Sequence, residues 1–146
     1  MESGDIDRFY RATTFYVYPP GGPSIPIRIG RLHQLLDQII APARSWAFIT
    51  AYNPRSVVLS ASENASRLDA LARTVEHRCL TSWPGEGISD DTDWTPEKSL
   101  LVLDMALSDA MTLSEQFEQN AFVYGETGQP AELIWTSVYD PKTQPN

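Results

Sequence analysis

A single cysteine, Cys79, stands in 146 residues, so the chain can close no disulfide within itself. That agrees with a reducing, bacterial-type cytoplasm, and the thiol is expected to serve as a small core residue rather than a nucleophile. No apolar run approaches the roughly 20 residues that a membrane-spanning helix needs. The opening Met1-Glu2-Ser3-Gly4-Asp5 lacks the basic and apolar regions of a secretory leader, which makes the cytoplasm the expected compartment. Cations are scarce as well: 11 Lys and Arg face 19 Asp and Glu, for a formal net charge of -8. General nucleic-acid binding needs the opposite balance. His33 and His77 are not at ligand spacing with each other or with Cys79, and Asp90, Asp91 and Asp93 lack the Gly and the terminal Glu of a calcium loop, so no metal is expected. Gly-x-Ser-x-Gly, P-loop and dinucleotide glycine patterns are all missing, and no cofactor is implied.

What is present reads as one globular domain, with 42% apolar residues and a mean hydropathy of -0.28. Residues 1 to 12 are expected to be flexible, 13 to 139 to form the domain, and the tail from 140 to fray. Thr13 to Tyr18 and Ile25 to Ile29 read as strands, the second confined to an edge by Pro26. The Pro19-Pro20-Gly21-Gly22-Pro23 cluster between them suggests a surface excursion or a lid. Leu32, Leu35, Leu36, Ile39 and Ile40 predict a helix over 30 to 40 that ends before Pro42. Trp46 to Tyr52 is a nearly continuous apolar run and the best candidate for a central strand. A second helix follows from Ser62 to His77, with Ser60 or Ser62 as its N-cap. Cys79 to Trp83 is a further candidate strand, and Pro84 to Asp93 is expected to be an acidic loop. Ser99 to Leu103 reads as a buried strand, followed by a helix capped at Ser108. Ala121 to Tyr124 and Ala131 to Trp135 look like a closing hairpin. The mixture predicts an α+β fold: a mostly antiparallel sheet with about three helices packed against it.

The residue that breaks pattern is Asn64. In the second helix Ala65, Leu68, Leu71, Ala72 and Val75 recur at helical spacing, and Asn64 projects among them. A buried amide left unpaired costs on the order of 1–3 kcal/mol, so polar partners should converge on it. Charge is also uneven. Residues 28 to 78 carry seven arginines against Asp37, Glu63, Asp69 and Glu76, whereas 86 to 140 carry twelve acids against Lys98 alone. One part of the fold could attract an anion while the other repels it.

Four segments stand in a recognisable order: Ala51-Tyr52-Asn53-Pro54, Glu63-Asn64-Ala65-Ser66-Arg67, Trp94-Thr95-Pro96-Glu97-Lys98-Ser99 with Leu101-Val102-Leu103, and Phe117 through Gly125. Together they resemble the bacterial family catalogued as domain of unknown function 3293, over about Trp46 to Trp135. The resemblance carries no activity with it. This chain departs from it at Glu118, where a small residue is expected before Gln119-Asn120, and in the acidity of 84 to 93.

Asn53, Asn64, Arg67, Glu97, Gln119 and Asn120 all fall near the ends of predicted elements, where ligand sites of mixed folds gather. The expectation is a polar pocket for a small anionic ligand, a nucleotide or a phosphate-like metabolite. Arg67 would be the anion anchor, Asn53, Asn64, Gln119 and Asn120 the binding amides, and Glu97 or Glu63 the acid/base. Whether such a pocket is catalytic stays open. A structural reading of the same residues stays open too: Asn53-Pro54 as a turn, Asn64 as a cap for a neighbouring segment, Asn120 as a left-handed helix end, and Arg67 paired with Glu97. The alternative role is an acidic protein-binding module of the inhibitor, immunity or anti-defence type, recognising a basic partner.

Overall fold

The computed structural model describes residues 3–91 and 93–139; the tail expected to fray lies outside them. The N-terminal segment, expected to be flexible, is instead a helix, α1 (Ser3–Arg11), with Ile6 buried beneath it. Two bonds tie its end to the sheet: Thr13 Oγ1 donates to the Phe9 carbonyl at 2.7 Å, and the Asp90 N–H donates to the Ala12 carbonyl at 2.9 Å. Then follow β1 (Thr13–Val17), β2 (Ile25–Ile27), α2 (Gln34–Ile40) and β3 (Ser45–Thr50). A short 3₁₀ turn at Pro54–Ser56 leads to α3 (Ala61–His77), β4 (Ser82–Ser89), β5 (Glu97–Leu103), α4 (Leu107–Gln116), β6 (Ala121–Glu126) and β7 (Glu132–Trp135). The strands form one seven-stranded antiparallel sheet in the order β2-β1-β4-β5-β3-β6-β7, and the whole is a single α+β domain.

Both faces of this sheet are covered, which is why its inner strands read as continuous apolar runs. Ala47, Ile49, Leu100, Val102, Phe122 and Tyr124 pack on one side with Leu71 and Val75 of α3 and Leu113 of α4. Their strand neighbours Trp46, Phe48, Leu101, Leu103 and Val123 turn to the other side, with Leu36 and Ile40 of α2 and Tyr10 of α1. Trp46 stands directly opposite Gly125, and a Cβ there would collide with the indole, so glycine makes room for the ring.

Four expectations need correction. Helix α2 starts at Gln34 rather than residue 30, because Gly30 and Arg31 commit their backbones to Ala131: the Gly30 N–H donates to the Ala131 carbonyl at 2.8 Å and the Ala131 N–H to that of Arg31 at 3.0 Å. Leu32, before the helix, and Leu35 and Ile39, within it, are exposed. Pro84 to Ser89 is strand, not loop. Gly85 is there for close packing, since a Cβ would sit 2.6 Å from the Phe48 ring. Cys79 is exposed rather than core: it takes the left-handed position after α3, φ 58°, while the Leu80 N–H reaches back to the Val75 carbonyl. The N-cap of α4 is Ala106, not Ser108, and supplies no side-chain bond. At α3 the cap is Ser60, whose Oγ accepts the Glu63 N–H at 3.2 Å while the Glu63 carboxylate takes the Ser60 N–H at 3.4 Å.

Candidate functional site

Beyond β3 the chain enters a strained turn. Asn53, Arg55 and Ser56 all have positive φ, at 48°, 55° and 62°, a conformation that disfavours side chains by about 1 kcal/mol or more each. The Asn53 side chain holds the turn in place. Its Oδ1 accepts the Leu59 N–H at 3.0 Å and the Asn64 Nδ2 at 2.8 Å, its Nδ2 donates to Glu97 Oε2 at 2.8 Å, and its own N–H donates to Asn64 Oδ1 at 2.9 Å. Asn64 thus finds the partners that its place on the buried face of α3 demands.

Next to the turn lies a cavity of about 220 Å³. Tyr52, Asn53, Ser56 and Val58 form one wall, Trp94 and Glu97 another, and Gln119 and Asn120 a third; Ile6, Phe9 and Tyr10 of α1 close it over. The roof is therefore α1 and not the Pro/Gly loop of residues 19 to 23. A smaller cavity of about 40 Å³ shares Phe9, Tyr10, Trp94 and Glu97 and continues over Phe15, Phe48 and Thr50 of the sheet. No Lys, Arg or His lines either one among the described residues.

Among the described residues, Glu97 is the one carboxylate lining this cleft. Burial pushes its carboxyl up to about 7, outweighing the hydrogen bonds from Asn53 and the Trp94 indole that favour the charged form. A carboxyl poised there can give or take a proton near neutrality. Burial, with the Glu97 charge beside it, raises the Tyr10 phenol; burial, with Glu86 and Glu97, raises that of Tyr52. Both phenols stay neutral and can act only as hydrogen-bonding or stacking groups. Asn120 is 2% exposed, and its Nδ2 donates to Ser56 Oγ at 3.1 Å, but its Oδ1 has no partner among the described residues.

Of the seven expected site residues, Asn53, Glu97, Gln119 and Asn120 line the cleft. Gln119 also pins the turn, Nε2 donating to the Tyr52 carbonyl at 2.9 Å. Asn64 reaches the cleft only through Asn53. Arg67 does not line it: Nε donates to the Ala51 carbonyl at 2.7 Å and Nη2 to that of Phe117 at 2.5 Å, so it joins β3 to the end of α4 and makes no pair with Glu97. Glu63 is exposed and engaged in the α3 cap. Sequence reasoning missed Phe9, Tyr10, Tyr52 and Trp94 as lining residues. Tyr52 and Trp94 stood inside the motifs and were passed over for their polar neighbours; the α1 residues carried no signal beyond an aromatic pair.

Fold and cleft together define a small α+β protein with one acid set among aromatic rings. The chain belongs to the family described as Protein of unknown function (DUF3293), matched over residues 49–122. That span holds all seven expected residues and the walls of the cleft, and leaves out the α1 roof. No curated protein and no solved structure matches the chain. Among the described residues no helix is long and apolar enough to cross a membrane.

Proposed function

We propose that this chain binds a small organic molecule in the cleft between α1 and the Asn53–Ser56 turn. The observation that carries the reading is a cavity of about 220 Å³ in which the Glu97 carboxyl and the side chains of Gln119 and Asn120 share the lining with four aromatic residues. An engineered apolar cavity of about 150 Å³ already admits benzene, so a cleft of about 220 Å³ takes a substituted ring. The anionic ligand expected around Arg67 finds less support, since two of that side chain's nitrogens are engaged by backbone carbonyls. Nor does the acidic half favour a basic protein partner: its described acids are distributed over β4, the segment from Asp90 to Asp93, β5, Asp104, α4, Glu118, β6 and β7, and Glu97 lies inside the cleft.

The test is a thermal-shift screen of a broad fragment library against wild type and Val58→Trp, which fills the mouth of the cleft. A fragment at 100 times its Kd stabilises by about 2.7 kcal/mol, an easily resolved shift. Hits that vanish in Val58→Trp, with that variant's own melting unchanged, support the site. An empty screen, or hits indifferent to the substitution, sinks it.

A further inference from the structure

We infer that the ligand is an organic ammonium: a protonated amine on a small apolar body, with N–H groups directed at the Glu97 carboxylate and its body among Phe9, Tyr10, Tyr52 and Trp94. This rests on the cleft being a ligand site, and goes beyond it by fixing the sign of the ligand's charge. Two features of the lining select a cation. Among the described lining residues, the one ionisable group that can carry charge near neutral pH is an acid. Four of the eleven lining residues are aromatic, and ring faces attract cations that have left water. An anion would meet carboxylate and π-density with no Lys, Arg or His among the described lining residues to offset them. Of the basic groups nearby, Arg67 is engaged by the Ala51 and Phe117 carbonyls and Arg55 by Glu118 at 3.2 Å, while Lys98 lines an adjoining pocket and not this cleft.

Proton linkage follows from the same arrangement. The titratable groups facing Glu97 are the phenols of Tyr10 on α1 and Tyr52 on the turn, both held neutral; Glu86 of β4 and Lys98 of β5, paired across the strands, line an adjoining pocket, so the cleft's own charge comes when Glu97 ionises near 7. Ammonium affinity therefore rises as the pH climbs through that value.

Three probes sharing one body test the assignment: benzylamine, its neutral analogue benzyl alcohol, and benzyltrimethylammonium, which has the charge without the N–H. Each is titrated into the full chain while the amide resonances of Asn53, Gln119 and Asn120 are followed by NMR. Benzylamine is expected to bind about tenfold more tightly than benzyl alcohol, a preference that grows from pH 6 to pH 8 and disappears in Glu97→Gln. Weaker binding of benzyltrimethylammonium than of benzylamine places the N–H contact. A lysine-bearing pentapeptide in place of benzylamine separates a side-chain amine from a free one, the tighter binder naming the source. Equal binding of amine and alcohol overturns the ammonium assignment, as does failure of all three probes while the fragment screen yields neutral or anionic hits; both leave the cleft as a ligand site. Failure of every class removes both readings. Should Glu97→Gln not fold, the comparison of amine with alcohol in wild type still decides.

Discussion

Asn53 and Asn64 hold each other twice: the Asn64 Oδ1 accepts the Asn53 backbone N–H at 2.9 Å, and the Asn64 Nδ2 donates to Asn53 Oδ1 at 2.8 Å. The second helix is thereby fastened to the strained turn after β3 by one amide that uses both its ends. Replacing Asn64 with Leu keeps the volume and strands a buried N–H and a share of a buried carbonyl. Two orphaned groups in a coupled network predict a loss of about 2–4 kcal/mol in urea unfolding. A loss below about 1 kcal/mol would mean that the turn does not depend on this pair.

Asn120 should behave in the opposite way. Its Oδ1 gains nothing from the fold, and its one bond, Nδ2 to Ser56 Oγ, is 3.1 Å long. Asn120→Leu removes a buried unsatisfied acceptor together with that single bond, so its stability should lie within about 1 kcal/mol of wild type or above it. Binding of any fragment that titrates the cleft should fall at least severalfold. The contrast between Asn64 and Asn120 in the same unfolding assay separates an amide kept for the fold from one kept for a ligand.

The Glu97 carboxyl, raised from 4.5 to about 7, ties stability to pH. Between those values the native state keeps a proton that the unfolded chain has released, so stability falls as the pH rises across that window and the penalty is complete above 7. A shift of this size corresponds to about 3 kcal/mol. Glu97→Gln keeps an acceptor for the Asn53 Nδ2 and has no proton to lose. Its unfolding free energy should be flat across the window from this source, and above pH 7 it should exceed that of wild type. Parallel slopes in wild type and variant would show that Glu97 is not the titrating group.

Much of the sheet was legible because a strand buried on both faces announces itself: Trp46 to Thr50 and Leu100 to Leu103 have almost no polar interruption. Asn64 was legible for the converse reason, a polar residue on a helix face that had to be buried. What misled was local chemistry serving a distant contact. Gly85 and Gly87 look like turn residues, and Gly85 lies in strand to admit Phe48. The stripe from Leu32 to Ile40 promised a longer helix, but Ala131, a hundred residues on, claims the backbone of Gly30 and Arg31. The cleft was only half visible. Its polar lining falls in the matched motifs, whereas Phe9 and Tyr10 come from a segment whose helix forms against the sheet. Arg67 illustrates the limit most clearly, since nothing in its sequence position says that the acceptors awaiting it are the carbonyls of Ala51 and Phe117.

Glu118 stands where a small residue was expected, and the backbone explains the expectation. It occupies the left-handed position after α4, φ 58°, with its N–H on the Glu115 carbonyl at 3.0 Å and the next N–H, of Gln119, on that of Ser114 at 2.9 Å. Glycine takes that conformation without strain, while a side chain there costs about 1 kcal/mol. The carboxylate gives something back through Arg55 Nε at 3.2 Å, but the two side chains are 56% and 46% exposed, and such pairs are worth little and are screened by salt. Comparing Glu118→Gly with Glu118→Ala isolates the backbone effect, because both lose the ion pair and only glycine relieves the strain. The glycine variant should be the more stable of the two by about 0.5–1 kcal/mol in urea unfolding, and the gap should persist in high salt. A gap that closes with salt, or an alanine variant at least as stable, would place the effect in the side chain and not in the left-handed turn that sets Gln119 and Asn120 against the cleft.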